Sequence, residues 1–129
     1  MAYIKYKELT KYFNFNEKLD IDDLPKYAHD YIDSDEKIIS VYKTRRDKSV
    51  FTNKRMILFD VHPFTKAKRI HILPYKSIST SAIEFGRRRC SLFISFDSGY
   101  QIRLNFVSVS SLEKSELRTL YSKMMKDQK

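Results

Sequence analysis

The residues that could do chemistry in this chain are mostly cationic. Between Tyr42 and Asp60, the stretch "YKTRRDKSVFTNKRMILFD" breaks two apolar runs with six positive charges: Lys43, Arg45, Arg46, Lys48, Lys54 and Arg55. A second cluster, Arg87-Arg88-Arg89, follows Gly86. Guanidinium forks match the paired oxygens of phosphate and carboxylate, and lysine adds a point charge. Both clusters are therefore candidate anion sites. Both also fit hairpin tips, where charge only keeps a turn in solvent. The groups that make and break bonds are sparse. Gly86 and Gly99 are the only glycines, too few for a phosphate-cradling loop. His29, His62 and His71 have no metal-ligand spacing and read as surface or packing residues. "DIDD", Asp20 to Asp23, begins like a calcium loop but lacks its glycine and terminal glutamate, so it reads as a helix cap. Cys90, the single cysteine, follows three arginines, a setting that lowers a thiol pKa. A small thiol in a strand otherwise reads as core. The sequence points away from an enzyme and calls for no cofactor and no metal.

Composition sets the frame that must position these charges. The 129 residues suit one domain. An apolar share of 42%, with nine Phe and nine Tyr, supplies core material without disulfides. The charge of +9 is unevenly placed. Residues 1–36 hold five Lys against nine Asp or Glu, and residues 37–129 hold twenty Lys or Arg against seven Asp or Glu. An acidic arm of net −4 thus precedes a basic body of net +13. A basic body suits anionic partners: nucleic acid, a lipid surface or an acidic protein. The N-terminus carries charge where a secretion signal needs an apolar run. No run approaches the roughly 20 apolar residues that span a bilayer. The expectation is a cytoplasmic protein, with peripheral attachment to a membrane as the alternative.

Periodicity divides the chain in two. Tyr6, Leu9 and Phe13 stand at helical spacing and predict a helix over residues 3–14. Leu24, Tyr27, Ala28 and Tyr31 predict a second helix opening at Pro25. From Glu36 the period becomes two. Strands are expected over residues 37–44, 49–52, 55–61, 68–73 and 79–85, then in a hairpin of alternating residues around Asp97-Ser98-Gly99. "RMILFDV" is apolar enough to be buried on both faces. Ser110 with Glu113 forms a capping box for a final helix, whose apolar face is Leu117, Leu120, Tyr121, Met124 and Met125.

Three stretches carry a family resemblance: "RDKSVFTNKRMILFDV" (Arg46 to Val61), "HILPYKSIST" (His71 to Thr80) and the Gly99 hairpin with its following helix. From about Glu36 to Lys126 the chain resembles the bacterial pleckstrin-homology (PH) domains. The resemblance implies a mainly β, PH-like barrel of seven antiparallel strands in two near-orthogonal sheets, closed by the C-terminal helix. Residues 1–34 then form a helical N-terminal extension and residues 35–129 the PH-like domain. Thr52, Asn53, Lys54 and Arg55 match the family's turn between its second and third strands, and Arg46 and Asp47 its first hairpin. Much of the charge in the opening stretch thus looks like fold signature. The resemblance also implies a tendency to ring-like homo-oligomers.

The functional expectation is a non-catalytic binding or assembly module acting through protein–protein contacts, with self-association included. Tyr6, Leu9, Phe13 and Phe93 are its candidate oligomer contacts. The alternative is binding of anionic lipid or inositol phosphate through Lys43, Arg45, Lys48, Lys66 and Lys68, of which Lys43, Arg45 and Lys48 resemble the basic first hairpin of lipid-binding PH domains. A further alternative is a nucleic acid or an acidic partner held by Arg87, Arg88 and Arg89.

Overall fold

Alternation of inward and outward side chains governs the described chain almost from its start. The computed structural model describes residues 10–45, 47–62 and 64–126. The first elements are β1 (Thr10–Phe15), β2 (Glu17–Leu19), a 3-10 turn (Ile21–Asp23) and α1 (Lys26–His29). Then come β3 (Ile38–Lys43), β4 (Lys48–Thr52), β5 (Arg55–Val61), β6 (Lys68–Pro74) and a second 3-10 turn (Tyr75–Ser77). β7 (Ile78–Gly86), β8 (Arg89–Phe96), β9 (Gln101–Val107) and α2 (Ser111–Lys126) complete the order. One sheet runs β1-β9-β8-β7 and the other β2-β3-β4-β5-β6.

The seven expected strands are β3 to β9, and the expected final helix is α2. Its capping box is reciprocal. The Ser110 N–H donates to Glu113 Oε1 at 3.0 Å, and the Glu113 N–H donates to Ser110 Oγ at 3.1 Å. Gly99 sits at φ 95°, which an L side chain resists. Inward residues of both sheets, among them Phe51, Leu58, Leu92, Leu104 and Phe106, meet Leu117, Leu120 and Met124 of α2 in one core.

The arm departs from expectation. The helix expected over residues 3–14 is, from Thr10 onward, strand β1, which pairs in parallel with β9. Residues 1–9, with Tyr6 and Leu9, lie outside the described residues. The cause is a competing period. Phe13 and Phe15 alternate with Tyr12 and Asn14, and β9 offers a free edge, so burial of two rings outweighs the helical spacing. Phe15 stacks on Phe106 with centroids 5.0 Å apart, and Phe13 meets His71 edge-on at 5.6 Å. Phe13 is therefore a core residue of its own chain and not an oligomer contact. β2 adds to the other sheet beside β3. The N-terminal segment thus supplies one strand to each sheet, and α1, a single turn, is shorter than the second helix expected.

The expected apolar face of that second helix is nevertheless real. Leu24 and Ala28 are buried with Val41, Val50, Ile57 and Phe59 on the outer side of the five-stranded sheet. Tyr27 and Tyr31 meet Phe59 edge-on at 5.3 and 5.8 Å. β5 is accordingly buried on both faces, Met56 and Leu58 inward, Ile57 and Phe59 under the arm.

Candidate functional site

The cations of residues 42–60 fall into two groups: those spent inside the fold and those left at its surface. Glu36 organises the first. Its side chain has no solvent exposure, and its carboxylate faces Arg55. Arg55 Nε donates to Glu36 Oε2 and Arg55 Nη2 to Glu36 Oε1, both at 2.9 Å, a two-point fork. Thr52 Oγ1 donates to Oε2, and the Asp33 N–H donates to Oε1 at 3.0 Å. Burial opposes the negative charge, but Arg55, Thr52 and the Asp33 N–H outweigh it and hold the Glu36 pKa down at about 2. Around this carboxylate the turn closes. Asn53 Oδ1 accepts the Lys37 N–H at 2.9 Å, and Lys54 Nζ reaches Asp35 Oδ2 at 2.9 Å. The buried Tyr75 hydroxyl donates to the Thr52 carbonyl at 2.7 Å. The residues that carry the family resemblance on either side of β5 thus meet at one polar knot.

Asp47 organises a second knot at the β3–β4 turn. Its Oδ1 accepts from the Tyr27 hydroxyl and from the Lys48 N–H at 2.8 Å. Lys68 Nζ lies 3.1 Å from Oδ2 and 3.6 Å from the centre of the Tyr27 ring. Burial disfavours the Lys68 charge, yet Tyr27 and Asp47 together raise its pKa above the ordinary value. Lys68, expected as an anion ligand, is therefore a tie between β6, α1 and the β3–β4 turn. Of the other candidates, Lys43 lies 3.7 Å from Glu17 on β2. Arg45 lines a small cleft with Tyr12 and Asn14, and Asp60 is on its wall. Lys48 is half-buried, and Lys66 is exposed at the tip of the β5–β6 loop with φ 62°. Arg46 lies outside the described residues.

The arginine cluster sits where expected, at the β7–β8 hairpin. Gly86 pairs with Arg89, leaving Arg87 and Arg88 as the turn. All three arginines are exposed. Arg88 is held at φ 58°, a conformation that glycine and asparagine take with less strain. The Arg88 carbonyl accepts the Val109 N–H at 3.0 Å, which fixes the turn against the approach to α2. Cys90 is buried just behind it. Burial pushes the thiol up to about 11 against the pull of Lys114 and Arg118, so the thiol is core and protonated.

From this hairpin the outer face of the four-stranded sheet runs across β8, β9 and β1. Cross-strand register aligns Phe93, Arg103 and Tyr12 in one row, with Ser91, Asn105 and Asn14 in the next. The Arg103 guanidinium lies 4.7 Å from the Phe93 ring centre and covers it on this face. Arg103 Nε and Ser91 Oγ both donate to Asn105 Oδ1 at 2.9 Å, and Asn105 Nδ2 donates to Asn14 Oδ1 at 2.9 Å. Tyr12, at the row's end, is 62% exposed. Sequence reading missed Tyr12 and Arg103 as surface residues. Their signal was the outward phase of two alternating runs, but only the parallel β1–β9 pairing puts them side by side. Phe64 was missed as well. It is 87% exposed at the β5–β6 tip, and the Phe64 and Thr65 N–H groups both donate to His62 Nδ1 at 3.2 Å. Its signal was an aromatic set between Pro63 and the Lys66–Lys68 charges.

Comparison with known proteins places this geometry. A family model described as the bacterial PH domain matches residues 8–124. Two Bacillus subtilis proteins share part of the sequence. Uncharacterized protein YozO is 51% identical over 49 residues, which is 38% of this chain and 43% of that protein. Uncharacterized protein YjqA is 43% identical over 54 residues, 41% of this chain and 43% of that protein. Each match thus spans less than half of the relative. Among solved structures, a DUF1696-family protein with a pleckstrin-homology domain from Shewanella loihica superposes with a TM-score of 0.66 at 24% identity. That match covers 84% of this chain and 95% of the other. A PH-domain-containing protein from Exiguobacterium sibiricum gives 0.64 at 18% identity, over 90% and 62% of the two chains. These two structures establish the fold.

The Glu36 knot makes stability depend on acid. The carboxylate is depressed in the folded chain, so its contribution is complete above the ordinary glutamate range and is lost as pH falls through about 2. Glu36→Gln should lower stability at neutral pH by on the order of 2–3 kcal/mol. It should also flatten the decline of stability from about pH 4.5 downward. Urea melts of both proteins across that range check both parts.

Proposed function

The chain belongs to the bacterial PH-domain family, and from that premise we propose that it is a non-catalytic binding module that works through protein–protein contacts. One observation carries the reading: the outer face of the four-stranded sheet, where exposed Tyr12, the Arg103–Phe93 stack and the arginine hairpin run together. Tyrosine, phenylalanine and arginine are enriched at protein interfaces: the aromatic rings bury much area with few rotors, and the guanidinium adds a planar fork of hydrogen-bond donors. The Asn14–Asn105–Arg103–Ser91 network holds the face in one arrangement before a partner arrives, which lowers the ordering cost of binding. Arg87, Arg88 and Arg89 at its margin favour an acidic partner surface and speed encounter. A second copy of the chain is the first partner to test, since residues 1–36 are acidic and the body is basic.

Light scattering after size exclusion, over a range of concentrations, gives that test. The native chain should run as a defined oligomer. A Tyr12→Ser, Arg103→Ser variant should shift to monomer with its melting temperature within a few degrees. Identical masses for the two proteins reject self-association through this face.

A second reading rests on Phe64. An almost fully exposed phenylalanine beside Lys66 on a hydrogen-bonded loop is the pattern of a residue that enters a lipid interface while lysine meets the headgroups. Lys43, Arg45 and Lys48 are the further cations this reading uses. Sedimentation with phosphatidylserine vesicles should bring down the native chain and about ten-fold less of Phe64→Ser, given the transfer energy of one aromatic ring. Equal sedimentation with purely phosphatidylcholine vesicles would contradict it.

A further inference from the structure

A cleft of about 280 Å³ opens between α2 and the β2–β3 edge, away from the sheet face described above. Ile39 and Leu120 form its apolar walls, and Ser40 and Tyr42 belong to its lining from β3. A bulge between Ile38 and Ser40 resets the strand. Ser40 then pairs with Phe51, a residue of the main core, and Tyr42 follows two positions later on the same face. Ser40 and Tyr42 therefore point beneath α2.

Ser40 is 7% exposed, and its hydroxyl has no hydrogen-bond partner among the described residues. Buried hydroxyls are ordinarily bonded, and one left alone loses its hydration without return. An alanine would remove that cost and leave the strand as it is. A polar group kept at a cost, and lining a cleft of ligand size, is the mark of a site that a ligand completes.

Charge decides what kind of ligand. Glu116 lines the cleft and is bonded to Lys18 across it at 2.9 Å. Burial first, then the charges of Glu116 and Glu113, raise the Tyr42 pKa, so the Tyr42 phenol stays protonated in a field set partly by carboxylates. Lys123 stands on the rim, shared with a neighbouring cleft. A charged head at Ser40, which is 7% exposed, would lose its hydration there while the Lys18 ammonium is already paired with Glu116 and Lys123 stays on the rim. An uncharged hydrogen-bonding group does not meet that penalty.

We propose that this cleft binds a small uncharged organic molecule. One hydroxyl, carbonyl or amide group of the ligand bonds to Ser40 Oγ, and its apolar body lies between Ile39 and Leu120. The site is independent of the sheet face and of the Phe64 loop, so it stands or falls apart from either reading of function.

The test is an NMR titration of the full isotope-labelled chain with cyclohexanol, and with cyclohexanecarboxylate as the charged counterpart. Cyclohexanol should give saturable shifts centred on the amides of residues 39–42 and 120–123. The carboxylate should bind about ten-fold more weakly, since it must lose its hydration at the buried Ser40. Ser40→Ala should weaken cyclohexanol about five-fold, the effect of one lost hydrogen bond, while melting at the same or a higher temperature. Ser40→Val, which also adds a methyl group to the cleft wall, should weaken it likewise. Ser49→Ala, which removes a second orphan buried hydroxyl outside the cleft lining, should leave binding unchanged. The proposal is overturned by three results. These are no saturable shift at those amides up to the solubility limit, equal affinity for the two probes, or native affinity in both Ser40 variants.

Discussion

The buried carboxylate of Glu36 is the constraint on which the basic side of the molecule depends. A charge with no solvent exposure must be answered by fixed partners. Here the answer comes from Arg55 at the start of β5, Thr52 at the end of β4 and the Asp33 N–H ahead of β3. Arg55 also donates to the Tyr31 carbonyl, so the same guanidinium ties down the end of the arm. The arm in turn covers Ile57 and Phe59 on the outer side of β5. One ion pair thereby connects the charge pattern of the sequence to the burial of a strand on both faces.

That allocation leaves the remaining cations at the surface. Arg55 and Lys68 neutralise buried carboxylates, and Lys54 closes a turn onto Asp35. The arginine hairpin, Arg103 and the β5–β6 loop keep their charge at the surface. The division is physical. A cation bonded to a buried acid cannot be offered to a phosphate without leaving that acid uncompensated, and breaking such a pair costs about 3–5 kcal/mol.

Much of the fold was legible in the sequence because its strands alternate strictly. Leu92, Ile94 and Phe96, like Ile102, Leu104 and Phe106, can be inward together only at a period of two. The Ser110–Glu113 box fixed the start of α2 for the same local reason. β1 was misread because its partner is β9, about ninety residues away in sequence, and no local signal announces a parallel pairing at that distance. The surface row of Tyr12, Arg103 and Phe93 was hidden by that same error. The role of Lys68 was hidden too, since only the folded chain brings it to Asp47. The Ser40 cleft gave no sign, because a serine in a strand looks outward-facing until a bulge turns it in.

Glu36 and Arg55 are bonded to each other inside the fold, and the strength of that pairing decides whether these signature charges serve stability. A double-mutant cycle on Glu36 and Arg55, with Glu36→Gln, Arg55→Met and both together, measures it in urea. A coupling of about 2 kcal/mol or more is expected, with the double variant hurt much less than the sum of the singles. Additive losses, within about 0.3 kcal/mol, would contradict it and return Arg55 to the list of cations free to bind a partner.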